Sequence, residues 1–252
     1  MKAEKIQEFR DKINEYAHKT EMPYPVLNID CKLNPATLNP EIVSSVKLLE
    51  PFGAENPMPV FGLFNMRIAG LQSVGEGKHL RVTLERNATS VNAIIFFMRE
   101  EDFEFSKGDI VDVAVKLDSS VFRGKEQLNV QIRDIRFSGA DDGRILSAIR
   151  DYEEFSVSEA PSDELKKSIS VDRELCGMVY KFIKSNGNRS LSGETLVKRL
   201  GLPEDRLAGC LVAVDVLKEL DLVKANGNKL SAARGNGKTS LENSRIFLKA
   251  IN

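Results

Sequence analysis

Leu48-Leu49-Glu50-Pro51-Phe52-Gly53-Ala54-Glu55-Asn56-Pro57-Met58-Pro59-Val60-Phe61 marks the point where a helical pattern stops and a β pattern starts. Pro51, Pro57 and Pro59 each fix φ and remove a backbone donor, so no helix survives the segment. Gly53 permits a positive φ, and Asn56 precedes a proline, which biases it towards extended backbone. The plain reading is a rigid connector. Upstream, Asn39 as N-cap and Pro40 at the first helical position open a helix with Ile42, Val43, Val46 and Leu49 on one face. Residues 3–17 place Ile6, Phe9, Ile13 and Tyr16 near a helical period, and Val26 to Asp30 reads as one short strand without a partner. Together, residues 1–57 are expected to be the tail of a larger α/β domain plus the connector.

Downstream the period changes to two. Five strands are expected, at Phe64 to Val74, His79 to Glu85, Val91 to Phe97, Ile110 to Asp118 and Gln127 to Phe137. Alternation is clean in Leu80, Val82, Leu84 and in Val111, Val113, Val115, Leu117, as half-buried antiparallel strands require. The long break at Arg99 to Phe105 leaves room for a short helix. Five strands with a helix after the third is the pattern of an OB-fold, a partly open Greek-key barrel, here over residues 58–138. Residues 139–171 are acidic and read as a linker with one short helix around Ile145 to Tyr152. In 172–252, three helical patterns precede Asn226-Gly227, a two-residue hairpin signal, so a winged-helix-like domain with a basic tail is expected. The fold class is therefore α+β and multidomain.

The chain has 252 residues, 42% hydrophobic and 29% charged, which suits two domains with real cores. No apolar run approaches the ~20 residues of a membrane helix, and the N-terminus leads into an amphipathic pattern instead of a signal peptide. A cytoplasmic protein with no membrane partner is expected. Cys31, Cys176 and Cys210 are far apart and form no CxxC pair, so neither a disulfide framework nor a zinc site is supported. The net charge is −1, but the basic excess is concentrated in 172–252. His18 and His79 are the two histidines, and neither has the carboxylate spacing of a metal site.

Single strands lie across the second and third strands of an OB-fold, beneath the loops joining strands one to two and four to five. The first loop here is Gly75 to His79, leading into Leu80-Arg81, and the second is Ser119 to Lys125. Lys78, Arg81, Arg123 and Lys125 are candidates to meet phosphates, and His79 and Phe122 to stack on bases. Against these stand a structural hydrogen bond for His79, a barrel plug for Phe122 and a plain tight turn for Arg123-Gly124. Phe96, Phe97, Phe103, Phe105 and Phe137 are assigned to the core. In the C-terminal domain Arg189, Lys198, Arg199, Arg206, Lys224 and Lys229 are further candidate phosphate contacts, whereas the apolar third helix is unsuited to reading base edges. Gly235-Asn236-Gly237-Lys238-Thr239 lacks the full spacing of a phosphate loop.

Leu-Glu-Pro-Phe-Gly-Ala-Glu-Asn-Pro-Met-Pro-Val-Phe closely resembles the junction preceding the nucleic-acid-binding domain of the RecJ family of single-stranded-DNA-specific exonucleases. Gly-Lys-His-Leu at 77–80 and Phe-Arg-Gly at 122–124 also resemble segments of RecJ OB domains. The resemblance implies 5′-to-3′ degradation of single-stranded DNA in repair and recombination, with Mn or Mg held by Asp and His clusters of a catalytic domain. Those clusters are absent here. The chain is then expected to be a C-terminal portion that grips and threads the strand without cutting it, with single-strand-binding protein or other repair proteins as candidate partners of its last domain. Two alternatives are a freestanding OB plus winged-helix DNA-binding protein and a protein-interaction module docking a replication protein.

Overall fold

The computed structural model describes residues 5–19, 24–186, 189–233 and 239–252. Five long strands form its first core: β2 (Phe61–Val74), β3 (His79–Arg86), β4 (Thr89–Ile95), β5 (Ile110–Phe122) and β6 (Lys125–Phe137). They run in the order β2-β3-β4-β6-β5, and β5 pairs back onto β2 to close a barrel. All these pairings are antiparallel except β4 with β6, which are parallel. This is the five-stranded OB-type barrel that the alternation predicts. Leu63, Met66, Ile68, Leu80, Val82, Leu84, Val111, Val113, Val115 and Leu117 point inward and are essentially inaccessible.

Closure needs β2 to pair along both edges, and a bulge makes the handover. The register with β5 shifts between Leu63 and Met66, where Asn65 adopts φ 54°. The Asp112 carboxylate accepts from the Asn65 backbone N–H at 2.9 Å and from Ser138 Oγ at 2.7 Å, which pins the bulge. The helix expected after the third strand is only a 3-10 turn, Glu100–Asp102. It is short because Phe103 and Phe105 are drawn into the barrel core, with the Phe105 and Phe137 rings 4.8 Å apart.

The N-terminal segment departs from expectation. Helix α2 (Pro40–Lys47) is capped by Asn39 and carries Pro at its first position, as predicted, but it buries Val43 and Val46 in the barrel cluster. The short strand is β1 (Cys31–Lys32), not Val26 to Asp30, and it pairs in parallel with the start of β2. Asp30 locks it there: its N–H donates to Val60 O and its carboxylate accepts from Val60 N–H. Residues 30–47 thus pack on the barrel. In the connector, Asn56 Nδ2 donates to Leu49 O and Pro51 O at 2.8 and 3.0 Å, closing the proline segment into a loop. Helix α1 (Ile6–Lys19) keeps Ile6, Phe9, Ile13 and Tyr16 exposed.

Residues 139–171, expected as an acidic linker with one short helix around Ile145 to Tyr152, form α3 (Asp142–Val157), which contains that stretch and runs longer, and α4 (Asp163–Ile169), capped by Asp141 and Ser162. Their acidic residues face out, while Ile145, Ala148, Phe155, Leu165 and Ile169 are buried in the second core. Acidic composition masks the full length of the first helix and the presence of the second. That core also takes α5 (Arg173–Ser185), α6 (Gly193–Leu200), α7 (Leu207–Glu219), the hairpin β7 (Val223–Asn226) with β8 (Lys229–Ala232), and α8 (Arg245–Ile251). Helix α7 is buried on nearly every side, which suits packing and not base reading. Cys176 and Cys210 are core residues, and burial pushes both thiols up to about 11.

Gly209 is where α7 meets the end of α4: a Cβ there would lie 2.3 Å from the Ile169 carbonyl oxygen. Gly177, inside α5, has open space around it. Alanine gains about 1 kcal/mol of helix propensity at either site, but at 209 the backbone clash costs about 1–3 kcal/mol or more. Gly177→Ala is therefore expected to raise Tm by about 2 °C, whereas Gly209→Ala lowers it. Paired thermal melts by circular dichroism check this, and equal shifts would refute the packing account.

Candidate nucleic-acid interface

The inward alternation of β3 and β4 leaves a second row of side chains on their outer face. His79, Arg81 and Thr83 project from β3, with Asn92 and Ile94 opposite them on β4. Arg81 lies across from Gln72 of β2 and donates to its Oε1 at 3.1 Å; Thr83 Oγ1 donates to Asn92 Oδ1 at 3.0 Å. Next to Thr83 stands Gly70, so the middle row has no bulk on β2. The result is an open polar groove floor with one held guanidinium.

An aromatic cluster closes one end of this face. The His79 ring sits edge-on to Phe96 and to Phe97, at centroid distances of 5.1 and 5.3 Å. The Phe97 backbone N–H donates to His79 Nδ1 at 3.0 Å, which places the proton of the neutral ring on Nε2. Gly75 makes room for the imidazole: a Cβ there would be 2.9 Å from His79 Cδ2. Its φ of 60° begins the turn Gly75-Glu76-Gly77, all left-handed, which presents Lys78. Lys78 lies 3.7 Å from Glu76, an exposed pair worth little.

Phe96 and Phe97, expected in the core, are both exposed, Phe97 by 88%. The departure has a clear cause. Alternation through Val91, Ala93 and Ile95 points Phe97 inward, but the strand ends at Ile95 and Phe97 adopts φ 56°, turning its ring out. Nothing in the local sequence announces that conformation. Phe103, Phe105 and Phe137 are buried, as expected.

The remaining predicted residues lie elsewhere. Ser119 to Lys125 is not a loop: β5 and β6 stay paired to Phe122 with Lys125, leaving a two-residue turn at Arg123-Gly124 with φ of 51° and 75°. That is a type I′ hairpin, favoured because its twist matches the strands. The Phe122 side chain falls outside the described residues. Leu80 pairs with Ile95 at one end of β4, while β6 runs parallel to β4 with Val130 beside Ala93. The hairpin tip therefore projects at the Thr89 end, opposite Lys78 and His79. Lys78, His79, Arg81, Phe96 and Phe97 form one group; Arg123 and Lys125 bracket the far end of the face.

Residues 29–134 match the RecJ OB domain family. The barrel is RecJ-like, similar to the OB domain of that family. The matched span begins before β1, which agrees with the packing of β1 and α2 on the barrel. Among curated proteins, the single-stranded-DNA-specific exonuclease RecJ of Bacillus subtilis (strain 168) is 22% identical over 142 residues, covering 55% of this chain. The chain spans 18% of that relative's length. Among solved structures, RecJ of Thermus thermophilus with Mg2+ is 26% identical, with a TM-score of 0.44 over 61% of this chain and 25% of that one. The second OB-fold domain of replication protein A from Methanococcus maripaludis is 16% identical, with a TM-score of 0.23 over 33% and 85%.

Two further features bear on the candidate interface. Among the described residues no group of three or more His, Cys, Asp or Glu is placed to hold a metal ion. Of the C-terminal cations expected to meet phosphate, several are turned inward. Arg199 makes a bidentate pair with Asp109 at 2.7 and 2.6 Å, and Lys229 Nζ lies 2.7 Å from Asp102 Oδ1. Hydrogen bonding to Lys229 holds the Asp102 carboxyl below its usual range and raises the Lys229 ammonium. Arg206 donates to Ser170 O. Arg189 and Lys224 are exposed, and the Gly-Asn-Gly-Lys stretch at 235–238 lies outside the described residues.

A bulky residue in the left-handed region costs about 1–3 kcal/mol, while glycine adds about 0.5–1 kcal/mol of unfolded-state entropy. Phe97 buries little, so strain decides the balance. Phe97→Gly is expected to leave stability unchanged or raise it by about 1 kcal/mol, and Phe97→Ala, which keeps the strain, to give no gain. Urea unfolding of both variants tests this; a clear loss in Phe97→Gly would show that the ring supports the fold.

Proposed function

We propose that this chain is the strand-gripping C-terminal portion of a RecJ-like 5′-to-3′ single-stranded-DNA exonuclease, working in the cytoplasm in DNA repair and recombination. Single-stranded DNA lies on the outer face of β3 and β4. Phe96, Phe97 and His79 stack on bases at one end, Lys78 and Arg81 meet phosphates beside them, and Arg123 and Lys125 take the backbone at the far end. The chain passes the strand to a Mn- or Mg-dependent centre outside itself, and alone it binds without cutting.

The observation that carries this reading is the exposed aromatic pair on the expected ligand face of a RecJ-type OB domain. Exposing a phenylalanine at 88% in a left-handed conformation works against stability, and base stacking returns about 1–3 kcal/mol per base. The order α5, α6, α7, β7, β8, with a bridge from Ser190 to Lys229, supports a winged-helix-like C-terminal unit. Its buried α7 favours a packing role over duplex recognition. The exposed apolar stripe of α1 favours a protein partner for that helix.

The test is binding of fluorescent oligo-dT over a salt series, with duplex DNA as competitor. The Lys78, Arg81, Arg123, Lys125 quadruple alanine variant is expected to flatten the slope of log K against log salt by up to ~0.7 per cation lost. The Phe96→Ala/Phe97→Ala variant is expected to lose about tenfold or more in affinity with its salt slope intact. Wild-type affinity in both variants, or equal competition by duplex, refutes the assignment of this face.

A further inference from the structure

The segment joining β4 to β5, residues 96–109, is a strap with two jobs. Its first residues, Phe96 and Phe97, carry the aromatic cluster described above. Its acidic residues receive the C-terminal unit. Lys229, at the first position of β8, reaches Asp102 at 2.7 Å and Glu101 at 3.6 Å. The backbone N–H of Ser192, the N-cap of α6, donates to Glu104 Oε2 at 2.8 Å. Arg199, in the last turn of α6, grips Asp109 with both guanidinium nitrogens, and both side chains are largely shielded from solvent. Charge-assisted bidentate pairs of this kind are the strong ones. Three contacts from two elements of the C-terminal unit, both ends of α6 and the start of β8, thus converge on one strap of the barrel.

We propose that Lys229 and Arg199 are positioning residues for the strand-binding face: by holding the strap, the C-terminal unit holds Phe96 and Phe97 where bases stack. The inference rests on the assignment of that face to single-stranded DNA. The mechanical link is short. Three residues, 98–100, separate Phe97 from the anchored Glu101-Asp102 pair, and each residue spans at most ~3.6 Å, so the anchor limits where Phe97 can go. Phe97 sits at φ 56° and donates its N–H to His79 Nδ1; with the strap released, it relaxes to ordinary extended backbone and the cluster opens. The coupling is reciprocal, so strand binding tightens the docking of the C-terminal unit. A role as mere glue between the two cores makes a different prediction, because glue is indifferent to the DNA.

The experiment uses the full chain, oligo-dT and a salt series, with thermal melts to confirm folding. Lys229→Ala and Arg199→Ala are each expected to weaken binding about fivefold or more, the lower range of allosteric coupling, with the slope of log K against log salt unchanged. The exchanged pair Lys229→Asp/Asp102→Lys is expected to restore affinity, and it serves as the decisive variant if Arg199→Ala fails to fold. Wild-type affinity in Lys229→Ala overturns the proposal in favour of glue. A slope lower by ~0.7 overturns it in favour of direct phosphate contact. The Phe96→Ala/Phe97→Ala variant separates the two failures: if it loses affinity while the Lys229 variant does not, only the positioning role falls, and if it binds like wild type, the face assignment falls and takes this inference with it.

Discussion

The structure depends on β2 being shared. One strand pairs with β5 through its first half and with β3 through its second, and without that double use the five strands make an open sheet with two raw edges. The handover turns on Asn65, whose left-handed backbone is fixed by the nearly buried Asp112 carboxylate. Asn is among the few residues that tolerate this conformation at low cost. A carboxylate in such a place has to be satisfied, and it is, by the Asn65 N–H, Ser138 Oγ and the Arg136 guanidinium at 3.8 Å. Barrel closure, strand register and the direction of every outward side chain on β3 follow from this one junction.

From closure comes the division of labour between the two faces of β3 and β4. The inner face is filled by fully buried Leu80, Val82, Leu84 and Ala93, so the outer face cannot slip without expelling the core. His79, Arg81 and Thr83 are held outward by the packing of their neighbours. The same geometry fixes where β4 ends, and hence where the strap begins. The C-terminal unit then meets the barrel at that strap, through carboxylates whose positions the barrel has already set.

How much of this is legible in the sequence depends on whether a residue obeys a period. Leu80, Val82, Leu84 and the Val111 to Leu117 series alternate without exception, and their strands are plain from the pattern. Ser119 to Phe122 also continues a β pattern, but the glycine at 124 suggests a loop; the two left-handed residues of a type I′ turn need no loop at all. Residues 142–157 hold Ile145, Ala148, Ile149, Tyr152 and Phe155 at helical spacing, so a helix around Ile145 to Tyr152 is legible, but the acids between and beyond them hide its full length and its burial in a core. Val43 and Val46 show an apolar face but not what it faces, since a helix stripe names no partner. Phe97 is illegible for a different reason: alternation gives the wrong answer wherever one residue reverses its backbone. The pairing of Arg199 with Asp109, ninety positions apart, leaves no local trace.

Electrostatics narrows how such a face can work. The net charge is −1, so the chain as a whole provides no attractive field to draw in a polyanion, and long-range steering contributes little. Two of the cations in the basic C-terminal region are spent on Asp109 and Asp102, which leaves less positive potential at the surface than composition suggests. Short-range terms then carry the weight. Aromatic faces stack on any base and need no sequence, which is the selectivity a nonspecific strand-binding surface requires, and a duplex withholds its base faces from them. Under the proposed function, Phe96, Phe97 and His79 would do what the charges cannot: distinguish an unpaired strand from a paired one, at a site where phosphate contacts alone would accept both.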